Sequence, residues 1–178
     1  MYGILGAALA LRKGEIAMMR TISVLVENQP GVLSKVVGLF SRRGFNIDSL
    51  AVGTTEDKSI SRITIVVNGD SYIIEQVEKQ LNKLIPIIKV KTLEEGGYIS
   101  RTLSLVKVSA SAKTRPELMK LAELMGARIV DVSKNSLTLE FADTPERTEV
   151  FMSLVRPYGI KETVRTGAIA VESGHTVI

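Results

Sequence analysis

Cysteine and tryptophan are absent from the 178 residues, and histidine occurs once, as His175. Without cysteine there are no disulfides, no thiolate nucleophile and no thiolate metal ligand. A single histidine three residues from the C-terminus supplies neither a catalytic triad nor the ligands of a zinc, nickel or copper sensor. Aromatics are scarce, four Phe and four Tyr, so the core must be built from Val, Ile and Leu. Residues 61–67 have no aromatic, whereas an RNA-recognition sheet stacks bases on two or three. Net charge is +4, but no basic run exceeds two residues. Residues 20–92 hold ten Lys/Arg against seven Asp/Glu, and residues 93–178 hold eleven of each. A nucleic-acid binder usually shows a basic stripe or cluster. No nucleic acid and no membrane are expected as partners.

What is present is ordinary globular material: 45% hydrophobic and 24% charged residues, enough for one domain or two small ones. The first 18 residues read differently. Residues 1–11 are apolar and small, and Arg12-Lys13 follow them. A secretory signal carries its charge first, and a spanning helix needs about 20 apolar residues. The Met18-Met19 pair suggests a native start there, with residues 1–18 an upstream extension; a docking helix is the other reading. The expectation is a soluble, cytoplasmic protein.

From there the hydrophobic period alternates between two and about 3.6. Residues 21–26 alternate as a strand. After Pro30, Val32, Leu33, Val36, Val37, Leu39 and Phe40 mark a helix to Arg43, with Gly44 placed as its cap. Residues 45–54 and 60–67 read as strands around a turn at Glu56-Asp57-Lys58. Asp70 or Ser71 starts a second helix, Pro86 breaks it, and residues 87–92 close the unit. The order β-α-β-β-α-β is the ferredoxin-like arrangement. After a linker at 94–100 the pattern restarts. Strands are expected at 103–110, 127–133, 137–142 and 160–165, with helices after Thr114 and after Thr144. The fold class is α+β, two tandem βαββαβ units, with domains at 19–93 and 101–178. One face of the first sheet is expected to be bare and partly apolar, and homodimerisation to cover it.

The stretch Glu27-Asn28-Gln29-Pro30-Gly31-Val32-Leu33 joins the first strand to the first helix. Helix N-termini leave N–H groups unpaired and carry partial positive charge, which suits a small anion. Pro30 suits the first helical position, and Gly31 puts no side chain before a ligand. Asn46-Ile47, opening the second strand, is the other candidate. Plain readings compete: Asn28 as a turn residue, and Gly44-Phe45-Asn46 as turn chemistry after the cap. Asp48, Glu56, Asp57 and Asp70 fall on separate turns or strand ends without paired spacing, so no catalytic residues are expected.

Residues 20–93 resemble the ACT domain, a small-molecule regulatory module. The resemblance lies in the 26–33 run from Val26 to Leu33 and in Gly44-Phe45-Asn46-Ile47. Ser34 to Leu50 (SKVVGLFSRRGFNIDSL), Ser61-Arg62-Ile63-Thr64-Ile65 and the helix at 75–84 narrow it. They are similar to the small regulatory subunit family of acetolactate synthase (acetohydroxyacid synthase). The second half agrees through residues 101–108, Ile129-Val130-Asp131-Val132 and Arg165-Thr166-Gly167. Residues 19–170 are covered, both units in order.

That resemblance implies a non-catalytic subunit of branched-chain amino acid biosynthesis, binding a large catalytic subunit, raising its activity and conferring feedback inhibition by valine. Thiamine diphosphate, Mg and FAD are expected on the catalytic partner and no cofactor on this chain. It further implies that the effector lies between two chains. Asn28, Gln29, Pro30, Gly31, Val32 and Leu33 come from one, and Asn46 and Ile47 from its dimer partner. Backbone N–H groups of Gly31, Val32 and Leu33 would hold the carboxylate. The Asn28 and Asn46 amide oxygens would take the ammonium, with Ile47 or Leu33 against the side chain. The alternatives are a free-standing amino-acid sensor and a small hydrolase on the same scaffold.

Overall fold

Alternation in Met18–Glu27 (β1) sends Ile22, Val24 and Val26 to one side, where they are buried. The computed structural model describes residues 18–178; the expectations for the N-terminal extension fall, except at Met18, outside the described residues. The elements follow as Val32–Arg43 (α1), Ile47–Thr54 (β2), Ile60–Gly69 (β3), Ser71–Leu81 (α2) and Ile87–Leu93 (β4). The first sheet is antiparallel, in the order β2-β3-β1-β4. Ile22, Val24 and Val26 meet Ile63, Ile65 and Val67 of β3 under the apolar stripes of both helices. Val32, Val36, Leu39 and Phe40 come from α1, and Ile74, Val77 and Leu81 from α2. Asp70 caps α2 by accepting from the Ile73 N–H at 2.8 Å, as its sequence position indicates. That helix stops at Leu81, well before Pro86, because Asn82 already turns the chain with its amide on the Glu78 carbonyl.

Two sequence expectations change here. Pro30 is not the first helical residue: α1 starts at Val32, after Gly31 at φ 83°, ψ −7°. The second concerns the sheet face away from the helices, which is partly apolar, through Leu25, Val66 and Leu93, but not bare. Period-two alternation turns the Val and Ile of β3 toward the helices and leaves Arg62, Thr64 and Val66 behind. On that face Thr21, Ser23, Thr64 and Leu93 are buried. Thr21 Oγ1 lies 3.2 Å from the Tyr98 hydroxyl, and Lys91 pairs with Glu172 at 2.6 Å.

The second half repeats the scheme. Tyr98–Ser109 (β5), Arg115–Met125 (α3), Arg128–Ser133 (β6), Ser136–Asp143 (β7), Pro145–Val155 (α4) and Ile160–Arg165 (β8) build a sheet ordered β6-β7-β5-β8. A short extra strand, Ile169–Glu172 (β9), pairs with β5. Its core is separate from the first and holds Val106, Val108, Leu118, Leu137, Leu139, Phe141, Phe151 and Val155. Phe141 and Phe151 stack with ring centroids 4.4 Å apart. Thr144 caps α4 through the Arg147 N–H. Thr114 stands at the N-cap of α3 but leaves the helix uncapped, because its hydroxyl accepts from the Ser111 N–H instead. The chain divides into two compact units: the described residues through Tyr98 with Glu172–Ile178, and Ile99–Val171.

Candidate functional site

Three backbone hydrogen bonds shape the turn between β1 and α1. Glu27 N–H donates to the Pro86 carbonyl at 2.9 Å, and Asn28 N–H to the Ser59 carbonyl at 2.7 Å. Val32 N–H donates back to the Gln29 carbonyl at 3.3 Å. With Pro30 at the second position and Gly31 left-handed at the third, Gln29–Val32 is a type II turn. The Gly31 carbonyl then receives the first helical bond, from Lys35 N–H at 3.1 Å. A Cβ built on Gly31 meets nothing within 4 Å. Glycine is therefore required by its positive φ, not by crowding.

This turn decides which donors are free. Val32 is 4% exposed, its side chain in the core and its N–H engaged. Among the described residues the N–H groups of Gly31, Leu33 and Ser34 have no protein acceptor. They are the unpaired donors of a helix N-terminus, opening to solvent beside the exposed Asn28, Gln29, Pro30 and Leu33. No acidic residue occupies the first turn of α1 to compete for them. Ser34 was not singled out from the sequence; its position three residues past the left-handed cap is the signal that identifies it.

Asn28 is fixed from the opposite side. Its Nδ2 donates to the Lys58 carbonyl at 2.8 Å, so its Oδ1 remains as an acceptor. The Lys58 carbonyl belongs to a tight turn held by Asp57, whose carboxylate takes the Ser59 hydroxyl at 2.6 Å and the Ser59 N–H at 2.8 Å. These bonds, the hydroxyl's above all, keep the Asp57 carboxyl below its ordinary value. The β2–β3 turn is thus a second-layer support that spacing along the chain did not reveal.

Asn46 and Ile47 lie elsewhere. Asn46 Nδ2 donates to Asp48 Oδ1 at 3.2 Å, leaving its own amide oxygen available, and Ile47 packs partly against the core. Both follow Gly44, the left-handed cap at the C-terminal end of α1. Twelve helical residues separate that end from Gly31, a span of about 18 Å at ~1.5 Å per residue. Within one chain the two candidate groups therefore stand at opposite ends of α1, too far apart to hold one small molecule between them.

In the second unit the sheet face away from the helices carries a hollow of ≈ 280 Å³, lined by Leu105, Lys107, Asp131, Thr138, Glu162 and Val164. A Lys107–Glu162 pair at 3.3 Å neutralises part of its charge. No group of three or more His, Asp or Glu side chains among the described residues is placed to hold a metal ion. No described helix is long and apolar enough to cross a membrane.

Comparison with known proteins adds a consistent set of likenesses. Residues 22–89 match the family described as "AHAS small subunit-like ACT domain", and residues 101–174 match "Small subunit of acetolactate synthase". The chain is 51% identical over 154 residues to the acetolactate synthase small subunit of Mycolicibacterium smegmatis, covering 86% of this chain and 91% of that protein. It is 51% identical over 158 residues to a probable acetolactate synthase small subunit of Archaeoglobus fulgidus, covering 89% and 99%. The crystal structure of the acetolactate synthase small subunit of Thermotoga maritima superposes with a TM-score of 0.84. It shares 35% identity across 89% of this chain and 99% of that one.

Proposed function

Because the chain belongs to the family of acetolactate synthase small subunits, we propose that it is the regulatory subunit of an acetolactate synthase. In this reading it binds a large catalytic subunit, activates it, and makes it sensitive to valine or a related branched-chain amino acid. The thiamine diphosphate chemistry belongs to that partner; this chain supplies binding and switching.

The observation that carries the effector site is the separation of its halves. Gly31, Leu33 and Ser34 offer three N–H donors at one end of α1, with the Asn28 Oδ1 beside them. Asn46 and Ile47 stand at the other end. A two-fold axis that sets α1 antiparallel to its copy brings one end of each helix to the opposite end of the other. The effector carboxylate then meets backbone N–H groups, its ammonium meets amide oxygens, and its aliphatic side chain rests on Leu33 and Ile47. Two further observations support such a dimer. β2 is an edge strand, the last of its sheet beside β3. Leu33 and Val37, one helical turn apart on α1, are 38% and 39% exposed. Unpaired edges and apolar stripes of this kind are commonly covered by a second chain.

To regulate, the effector must bind one state of the assembly more tightly than another; about 1–3 kcal/mol of preference gives roughly 5–150-fold coupling. The test is reconstitution with the catalytic subunit, assaying acetolactate formation with and without valine. Activation by this chain together with loss of activity at millimolar valine is the expected result. Activation without a valine response would remove the effector assignment while leaving the subunit assignment in place.

A further inference from the structure

The second unit has an edge of its own. β6 (Arg128–Ser133) lies at the end of its sheet, paired on one side only, with β7. Its sequence RIVDVS has neither Pro nor Lys, the residues that commonly blunt an edge. Val130 and Val132 are 46% and 62% exposed. The opposite edge, β8, reads IKETVR and is charged along its length. Only one of the two edges is protected by charge.

A bulge gives β6 its character. The register with β7 shifts between Ile129 and Asp131, so Arg128 faces Glu140 while Asp131 faces Thr138. Glu140 and Thr138 are two residues apart on β7 and share a face. Arg128 and Asp131 therefore share that face too, three residues apart, which a regular strand would forbid. Arg128 is paired with Glu140 at 3.2 Å, while its side chain remains 79% exposed. Asp131 makes no ion pair among the described residues. β2 of the first unit has the same bulge at the corresponding place, between Ile47 and Ser49.

A strand holding a cation and an anion on one face, three residues apart, is complementary to itself run antiparallel. We propose that the free edge of β6 is an interface for a second copy of this chain. The two β6 strands pair antiparallel across a two-fold axis, with Arg128 of each copy facing Asp131 of the other. Such an isologous contact uses both charges twice. It continues the sheet, covers Val130 and Val132, and gives Asp131 the partner it lacks within one chain. Each protomer thus has two edges for self-association, one in each unit.

Because the chain has no cysteine, a single introduced thiol reports this contact cleanly. Val130→Cys, oxidised with oxidised glutathione at micromolar protein, should give a covalent dimer on a non-reducing gel. Arg128→Asp in that background should suppress cross-linking by about tenfold, two exposed attractions having become repulsions. Adding Asp131→Arg to the same chain should restore it. Cross-linking no greater than that of a Lys113→Cys chain, or indifferent to the charge reversals, overturns the proposal. Val52→Cys on the edge of β2 reads the first unit's interface separately. Its success beside failure of Val130→Cys would overturn this inference alone.

Discussion

Gly31 is where backbone geometry and ligand chemistry meet, and the two can be separated by substitution. Alanine there pays for the left-handed backbone, about 1–2 kcal/mol of stability, and nothing else, since its Cβ meets no atom within 4 Å. Gly31→Ala should lower the melting temperature while leaving valine affinity within about tenfold, a factor worth roughly 1.4 kcal/mol. Gly31→Asp carries the same strain and adds a carboxylate where the effector's carboxylate belongs. It should abolish valine inhibition in the reconstituted enzyme and leave activation intact; loss of activation as well would make Gly31 structural. Asn28 offers a second residue-scale test. A hydrogen bond to a charged ammonium contributes about 1.5–3 kcal/mol, so Asn28→Ala should weaken valine binding by roughly 10–100-fold in a calorimetric titration.

At the scale of elements, the β2–β3 turn holds Asn28 through the Lys58 and Ser59 carbonyls. Asp57 holds that turn, and its carboxyl lies below its ordinary value because of Ser59, chiefly the hydroxyl. A lowered carboxyl contributes stability above the pKa of the unfolded chain and loses it as pH falls through the folded value. Ser59→Ala should therefore raise the Asp57 pKa toward the ordinary carboxylate value in an NMR titration. The acid end of the pH profile for valine binding should move up with it. An Asp57 pKa that rises while the valine-binding profile stays put would separate the turn from the site. On α1 itself, Val37→Asp places a charge in the stripe, with Leu33, that the second chain is expected to cover. It should weaken self-association in sedimentation and abolish cross-linking of a Val52→Cys chain, with the helical circular dichroism unchanged.

Elements of this kind show why some of the fold was legible from the residues. Strict alternation at Ile22, Val24 and Val26 and helical spacing at Val32, Val36 and Phe40 each admit one reading, and the structure has it. Gly44 and Asp70 announced a helix end and a helix start through the backbone chemistry they alone supply. Pro30 misled because proline favours both the first helical position and the second position of a turn; the positive φ of Gly31 decides for the turn. β9 escaped notice because four residues, Ile169–Glu172, carry too little periodicity. The face of the first sheet was read as bare because its contacts, Thr21 with Tyr98 and Lys91 with Glu172, join residues 77 or more positions apart. For the same reason the support of Asn28 by Lys58 was invisible, its partners being 30 residues apart.

For the whole molecule, two disjoint cores imply that damage stays local. Phe151 is fully buried and stacks on Phe141 in the second unit, and truncating such a ring typically costs about 3–5 kcal/mol. Phe151→Ala should strip amide protection from residues 99–171 while β1 and β3 keep theirs in hydrogen exchange. Valine binding should survive where activation of the catalytic subunit need not. The central claim, that each effector site is assembled from two chains, is tested most directly by complementation. A Gly31→Asp chain and an Asn46→Ala chain are each purified as dimers, then mixed and exchanged. In the mixed dimer one site pairs the two lesions and the other joins an intact Gly31 to an intact Asn46. Calorimetry should find no valine binding to the Gly31→Asp dimer, strongly weakened binding to the Asn46→Ala dimer, and one near-native site per mixed dimer. A mixed dimer that never regains a near-native site would contradict a shared site, as would an Asn46→Ala dimer that binds valine like the unmodified protein.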